Sequence, residues 1–526
     1  MNRTPPYKVS LRAQDLRGFE LLNSLCAVEK YGELLSYLEA QLRRGWLLDK
    51  LFVVPPADVL IVLMTLAVIP HSGNSEREVK MDPCSVIKTS ISTRSLKILT
   101  HYVDILHSFE PDVMLDHSVE LLRCQFFIVL DHFKIPKSHA LSEGYRDSQK
   151  RRKTNPSIRL EDTPYFGTIK AAIPGYSNPY GTYVSVLEHS PLVFKNIVLT
   201  TVLAHEGEFW NSVTWTLFCS ISEDPHLFER SKKWVRLFCL LFDLFELQSV
   251  YFEELIVPGS HLLFDLFRSL SSSDTYSALC DILLLGFECF TAGDVNVHAV
   301  YGKEKYTPAT FVPRTVTDQS SRFVESMAFR HRLLRSFTRL LDSRGAEMQS
   351  TCQVFSEARF VTTLSRHLSR IKNLEHLKQF FCVADLRSFF AIMPHIAQAT
   401  LNEYLADLEQ HRQISLVENL GGDDTMIDDL IELFVPGFPF LDEQTDQPLT
   451  TTYMLIEKCD ICLLVVLRYW EHVHKSSRIR TRKGFPHLLD TIRLNDQRRI
   501  ETTRIMNCDD ITIPPLLPNF EKLFGL

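Results

Sequence analysis

The chain has 526 residues, 45% of them apolar and 23% charged, with a formal net charge of −7. That length exceeds what one hydrophobic core usually serves, so two or three domains, or a stack of helices, are expected. The acidic balance excludes a protein that coats nucleic acid with its whole surface, while leaving room for a local basic site.

In chain order, apolar residues recur at helical spacing over roughly 14–51, 57–70, 94–108 and 112–134, defining an N-terminal helical region, 1–135. The longest apolar run, Ala57 to Ile69, is well short of the roughly 20 residues that span a bilayer, and the opening MNRTPPYK has no apolar signal core. Neither export nor membrane insertion is expected. Residues 136–182 lose periodicity and carry Pro, Gly, Ser and charge, the composition of a long, partly disordered linker. Within it, Lys150-Arg151-Arg152-Lys153 is a compact basic run in a polar setting and fits an importin-read nuclear localisation signal.

Helical patterns resume over 191–220, 228–256 and 259–290, giving a central region, 183–290. Phe is abundant, 35 in all, and the cluster Phe238, Phe242, Phe245 and Phe252 is better explained by thick interhelical packing than by a ligand platform. A second irregular linker covers 291–321 and is compatible with a short hairpin around Val295 to Thr310. The C-terminal region, 322–526, opens on the clearest helical stripe: Phe323, Met327, Leu334, Phe337 and Leu341. Further patterns run through 360–392, 396–418, 426–434 and 452–473, with a break from Gly437 to Thr451. Strand-like alternation is scarce throughout, so the fold class is all-α. An apolar helix end followed by Val-Pro recurs at Val54-Pro55, Val257-Pro258 and Val435-Pro436, at intervals far longer than solenoid repeats. The texture therefore resembles degenerate HEAT or armadillo stacking in style, without a specific motif.

Candidate chemistry is thin. Cys459 and Cys462 form the only CxxC, without a second ligand pair and inside an apolar helical pattern, so they are read as structural thiols. The other cysteines, Cys124, Cys219, Cys239, Cys280 and Cys289 among them, fit reduced core residues in the cytosol or nucleus. His205-Glu206 begins like a zinc-protease helix, but Phe209 stands where the second histidine belongs. His472 and His474 are two apart, which does not place them on one helical face. Gly421-Gly422-Asp423-Asp424 has the look of a two-metal acidic turn, yet helical sequence follows it, so Asp424 or Thr425 is expected to cap that helix. No catalytic residue, cofactor or metal is expected.

Charge patterning is the strongest remaining signal. Residues 402–448 hold twelve Asp/Glu against Arg412 alone, a local charge of −11, and 468–504 hold ten Lys/Arg against four acids, or +6. The two segments either neutralise each other or serve an external partner, and 475–484 (KSSRIRTRKG) lacks the apolar spacing that would fix it to a core. The candidate surface here is Arg478, Arg480, Arg482 and Lys483. A second candidate joins Arg332, Arg335 and Arg339 on one helix to Arg359, Arg366 and Arg370 on the next, provided that the two lie side by side. Helix content without catalytic residues favours a non-enzymatic scaffold that binds other protein subunits in a nuclear complex, with genome maintenance or chromatin as the process. The rivals are a direct nucleic-acid binder using these basic patches and a cytoplasmic trafficking or signalling adaptor.

Overall fold

The computed structural model describes residues 12–48, 51, 53–68, 90–108, 117–130, 198, 202, 206–222, 224–255, 262–271, 274–287, 300, 320–342, 355–408, 413–438, 449–505 and 513–526. Among these, every regular element is helical and there is no strand, as the periodicity requires. No described helix is long and apolar enough to cross a membrane. The linker 136–182, with Lys150–Lys153, lies outside the described residues, as does nearly all of 291–321. The described residues fall into two compact units, one of 1–275 with 295–311 and the other of 276–294 with 312–526.

The first unit contains α1 (Ala13–Ala27), α2 (Tyr31–Leu48), α3 (Ala57–Val68), α4 (Ile91–Ser108), α5 (His117–Leu130), α6 (Glu206–Ser220), α7 (Pro225–Leu255) and α8 (Leu262–Arg268). The apolar pattern over 14–51 is two helices rather than one. Glu29 takes a left-handed φ of 57°, and its N–H bonds the Cys26 carbonyl, closing α1 and turning the chain into α2. Helix α3 is buried over its whole length and packs on α1, α4, α5 and α7, the position that a helix apolar on all sides must occupy. Even Asp58 in its first turn is 3% exposed, and burial pushes its carboxyl up to about 8. Three of the four phenylalanines in the cluster are core as expected: Phe209 of α6 packs edge-on against Phe238 and Phe245 of α7, and Phe242 joins them, while the Phe252 side chain lies outside the described ones.

The second unit contains α9 (Thr275–Leu283), α10 (Ser320–Asp342), α11 (Glu357–Ser369), α12 (Leu374–Phe381), α13 (Met393–Asp407), α14 (Asp423–Phe434), α15 (Leu449–His474), α16 (Ser476–Arg480), α17 (Phe485–Ile505) and α18 (Leu517–Phe524). Helix α11 packs on α13, α13 on α15, α12 on both α10 and α15, and α14 on α17. The stripe of α10 faces inward, with Phe323, Leu334 and Phe337 fully buried. Residues 276–287 pack with this unit, whereas the sequence grouped them with 183–290. Arg330, fully buried in the middle of α10, donates to the Leu283 and Leu285 carbonyls at 2.5 and 2.8 Å. Inside the 360–392 pattern, Asn373 accepts from the Glu375 and His376 N–H groups and starts α12 as a new helix.

Helix α17 has no apolar stripe in the sequence. Its buried face runs Phe485, Leu488, Thr491, Ile492, Asn495, Asp496 and Arg499, and its C-terminal part, Asn495, Asp496 and Arg499, is wholly polar. Each is matched. Asn495 exchanges two hydrogen bonds with the Phe438 backbone, and Asp496 accepts from the Leu516 and Leu517 N–H groups. Arg499 Nη1 and Nη2 donate to the two Asp460 carboxylate oxygens at 2.8 and 2.9 Å, and its Nε reaches the Phe438 carbonyl. Through these bonds α17 ties α15 to the segment after α14 and to the start of α18. Phe520 and Phe524 of α18 then close the core against Phe485, and Phe524 also meets Trp470.

Candidate interaction surfaces

The residues that could suggest chemistry have structural settings. Cys459 and Cys462 are fully buried and unbridged, and burial raises both thiols, which removes the thiolate character that redox or metal chemistry needs. His474 bonds the Leu420 carbonyl at 2.7 Å. Helix α14 starts at Asp423 with Gly422 as its N-cap and no side-chain capping bond, which corrects the expectation of a cap at Asp424 or Thr425. A side chain at Gly422 would meet Thr425 Oγ1 at 2.5 Å, so the closeness of that hydroxyl favours glycine there. His205 lies outside the described residues. Among the described residues no group of three or more His, Cys, Asp or Glu could hold a metal ion.

The acidic and basic segments are packed together. The α14–α17 contact brings them side by side, Arg482 Nη1 reaches Asp424 Oδ2 at 3.4 Å, and Arg498 donates to the Val435 carbonyl. The turn at 475–484 is also fixed to the core, contrary to its apolar spacing. Ile479 is fully buried, and Gly484 lies so close to α14 that a Cβ would meet Ile427 Cγ2 at 2.8 Å. One buried isoleucine and one close glycine are too sparse for periodicity to register. Of the four basic residues singled out here, Arg480 is committed to the C-terminus, donating to the Phe524 and Gly525 carbonyls. Arg478 and Lys483 stay exposed, as does Lys475 beside them. Two large apolar side chains flank this turn in solvent: Val473, 42% exposed, and Leu526, 54% exposed.

The six arginines on α10 and α11 divide differently from the expectation. Arg332 and Arg335 are half-buried, and Arg339 is exposed. Arg335 helps to hold the Asp385 carboxyl below its ordinary range, behind the larger effect of the Ser388 hydroxyl. Phe337 touches Phe360, while α10 packs chiefly on α12 and α11 on α13. On α11 the apolar residues Phe360, Leu364 and Leu368 are fully buried, which turns Arg359, Arg366 and Arg370 outward, all exposed.

With this geometry in place, similarity gives the family. Residues 2–483 match the model of the DNA repair proteins Nse5 and Nse6. The chain belongs to that family. A Saccharomyces cerevisiae protein named non-structural maintenance of chromosome element 5 is 29% identical over 540 residues, covering 99% of this chain and 95% of that protein. The expected process, genome maintenance, is thus the family's own. The family match ends at Lys483, yet α17 and α18 beyond it complete the core of the second unit in this Nse5/Nse6-family chain.

Proposed function

We propose that the chain is a non-catalytic helical subunit of an Smc5/6-type genome-maintenance complex, working in the nucleus by holding other protein subunits. The observation that carries this reading is the family match across 2–483. The all-helical packing agrees with it.

The turn between α15 and α17 is the proposed docking surface. Protein interfaces combine apolar anchors with arginine and a polar rim. Val473 and Leu526 beside Arg478, Lys475 and Lys483 supply that mixture. Reversing Lys475, Arg478 and Lys483 to glutamate is expected to leave the melting temperature within about a degree, because exposed charges contribute little to stability. Recovery of partner subunits on the tagged protein is expected to fall severalfold. Unchanged recovery at low and physiological salt would reduce this turn to a solvated surface.

Nuclear entry is assigned to Lys150-Arg151-Arg152-Lys153. Changing all four to alanine is expected to shift a fluorescently tagged protein toward the cytoplasm, measured in cells lacking the untagged copy so that entry on a partner is also reported. An unaltered nuclear-to-cytoplasmic ratio would remove this assignment.

A further inference from the structure

We propose that the exposed face of α11 binds the phosphate backbone of nucleic acid through Arg359, Arg366 and Arg370. This goes beyond the docking role above and uses a different surface. Three observations carry it.

The first is availability. Among the described residues neither Arg366, Arg370 nor the neighbouring exposed Lys372 has an ion-pair partner, and Arg359 only lies over the Tyr276 ring, 5.4 Å from its centre. A stacked guanidinium keeps its outer N–H edge for an anion. The second is placement. A cation in the last turn of a helix is favoured by the helix dipole, which accounts for Arg366 and for Arg370 at the C-cap. Arg359 sits in the first turn, where the dipole opposes a cation, so the dipole does not explain a row running the length of the helix. At 1.5 Å rise per residue the three are spaced by about 10 and 6 Å along one rigid axis.

The third observation separates nucleic acid from an acidic protein. A protein interface needs apolar anchors, and no large apolar side chain is exposed between Phe355 and Lys372. The exposed residues of α11 itself are Glu357, Ala358, Arg359, Thr362 and Arg366. Hydroxyl and guanidinium donors without apolar anchors suit a polyphosphate chain bound through charge, with no base readout. Docking on the α15–α17 turn has the reverse character, with two exposed apolar residues among its cations.

The test is fluorescence anisotropy with the full-length protein and a fluorescein-labelled duplex of about 30 base pairs, titrated between about 50 and 200 mM salt. The wild type is expected to bind scrambled duplexes with similar affinity. The triple variant Arg359→Gln, Arg366→Gln, Arg370→Gln is expected to bind at least tenfold more weakly at low salt, with the slope of log affinity against log salt shallower by about 2.7, from 0.9 per lost contact. The triple arginine-to-lysine variant keeps the charges and is expected to retain most of that slope, which loss of folding would not allow. A separate triple variant, Lys475→Gln, Arg478→Gln, Lys483→Gln, is expected to keep most of the affinity. Failure of the wild type to bind at low salt, or an unchanged slope in the α11 glutamine variant, would overturn the proposal. So would intact duplex binding together with lost partner-subunit recovery in that variant, which would make α11 a site for an acidic protein.

Discussion

Replacing Asp460 with alanine is expected to destabilise the second unit by about 3–5 kcal/mol, the usual cost of leaving one member of a buried ion pair alone. Arg499 is 4% exposed and gives both terminal nitrogens to Asp460, so the change takes away its bidentate partner and leaves the buried guanidinium the Phe438 carbonyl and the Asp496 carboxylate 4.0 Å away. Burial raises the Asp460 carboxyl while Arg499 pulls it down, and removal of Arg499 leaves burial and the nearby Asp496 and Glu457 carboxylates all acting to raise it. A double change, Asp460→Leu with Arg499→Met, is expected to recover much of the loss, because a buried pair gains little over apolar residues of similar volume. Urea denaturation followed by circular dichroism measures this. A change below about 1 kcal/mol for Asp460→Ala would show that α17 does not anchor the unit.

The second large effect is acid destabilisation through His376. This ring is fully buried against Phe323, with centroids 4.5 Å apart, and against Phe287, and neither ring nitrogen has a hydrogen-bond partner among the described residues. Burial, followed by the charge of nearby Arg330, pushes the imidazole down to about 4, with Glu375 opposing. The folded state therefore keeps His376 neutral, while the unfolded chain takes up a proton near pH 6.5. Its contribution is complete above pH 6.5 and is lost as pH falls from 6.5 toward 4, reaching about 3 kcal/mol. His376→Leu is expected to flatten this part of the stability-against-pH curve between pH 7.5 and 5. Superimposable curves for the variant and the wild type would contradict a buried neutral histidine.

Long, strongly striped elements were legible in the sequence, and the reason is physical. Phe323, Leu334 and Phe337 repeat at 3.6-residue spacing because one side of α10 is core, and α3 is apolar all round because all of it is core. Helix α17 was not legible, since Asn495, Asp496 and Arg499 occupy its inward positions and their partners lie 20 to 61 residues away. The same holds for Arg330, whose carbonyl partners are 45 and 47 residues away. Hydrophobic periodicity reports burial only when burial is apolar. For the candidate surfaces, the sequence located the cations but not their commitments: Arg480 is spent on the C-terminus, Arg482 reaches Asp424, and Arg332 and Arg335 are half-buried. Arg359, Arg366 and Arg370 face outward because Phe360, Leu364 and Leu368 face inward, a relation that the helical pattern did carry.

The reading as a subunit that holds other proteins is tested most directly by purifying the tagged chain at its native expression level, in physiological salt, and identifying what accompanies it by mass spectrometry. Smc5/6-type subunits are expected in near-equal amounts, surviving nuclease treatment and lost when Lys475, Arg478 and Lys483 are reversed while the protein stays folded. Recovery of the folded chain alone, or with proteins outside genome maintenance, would contradict it.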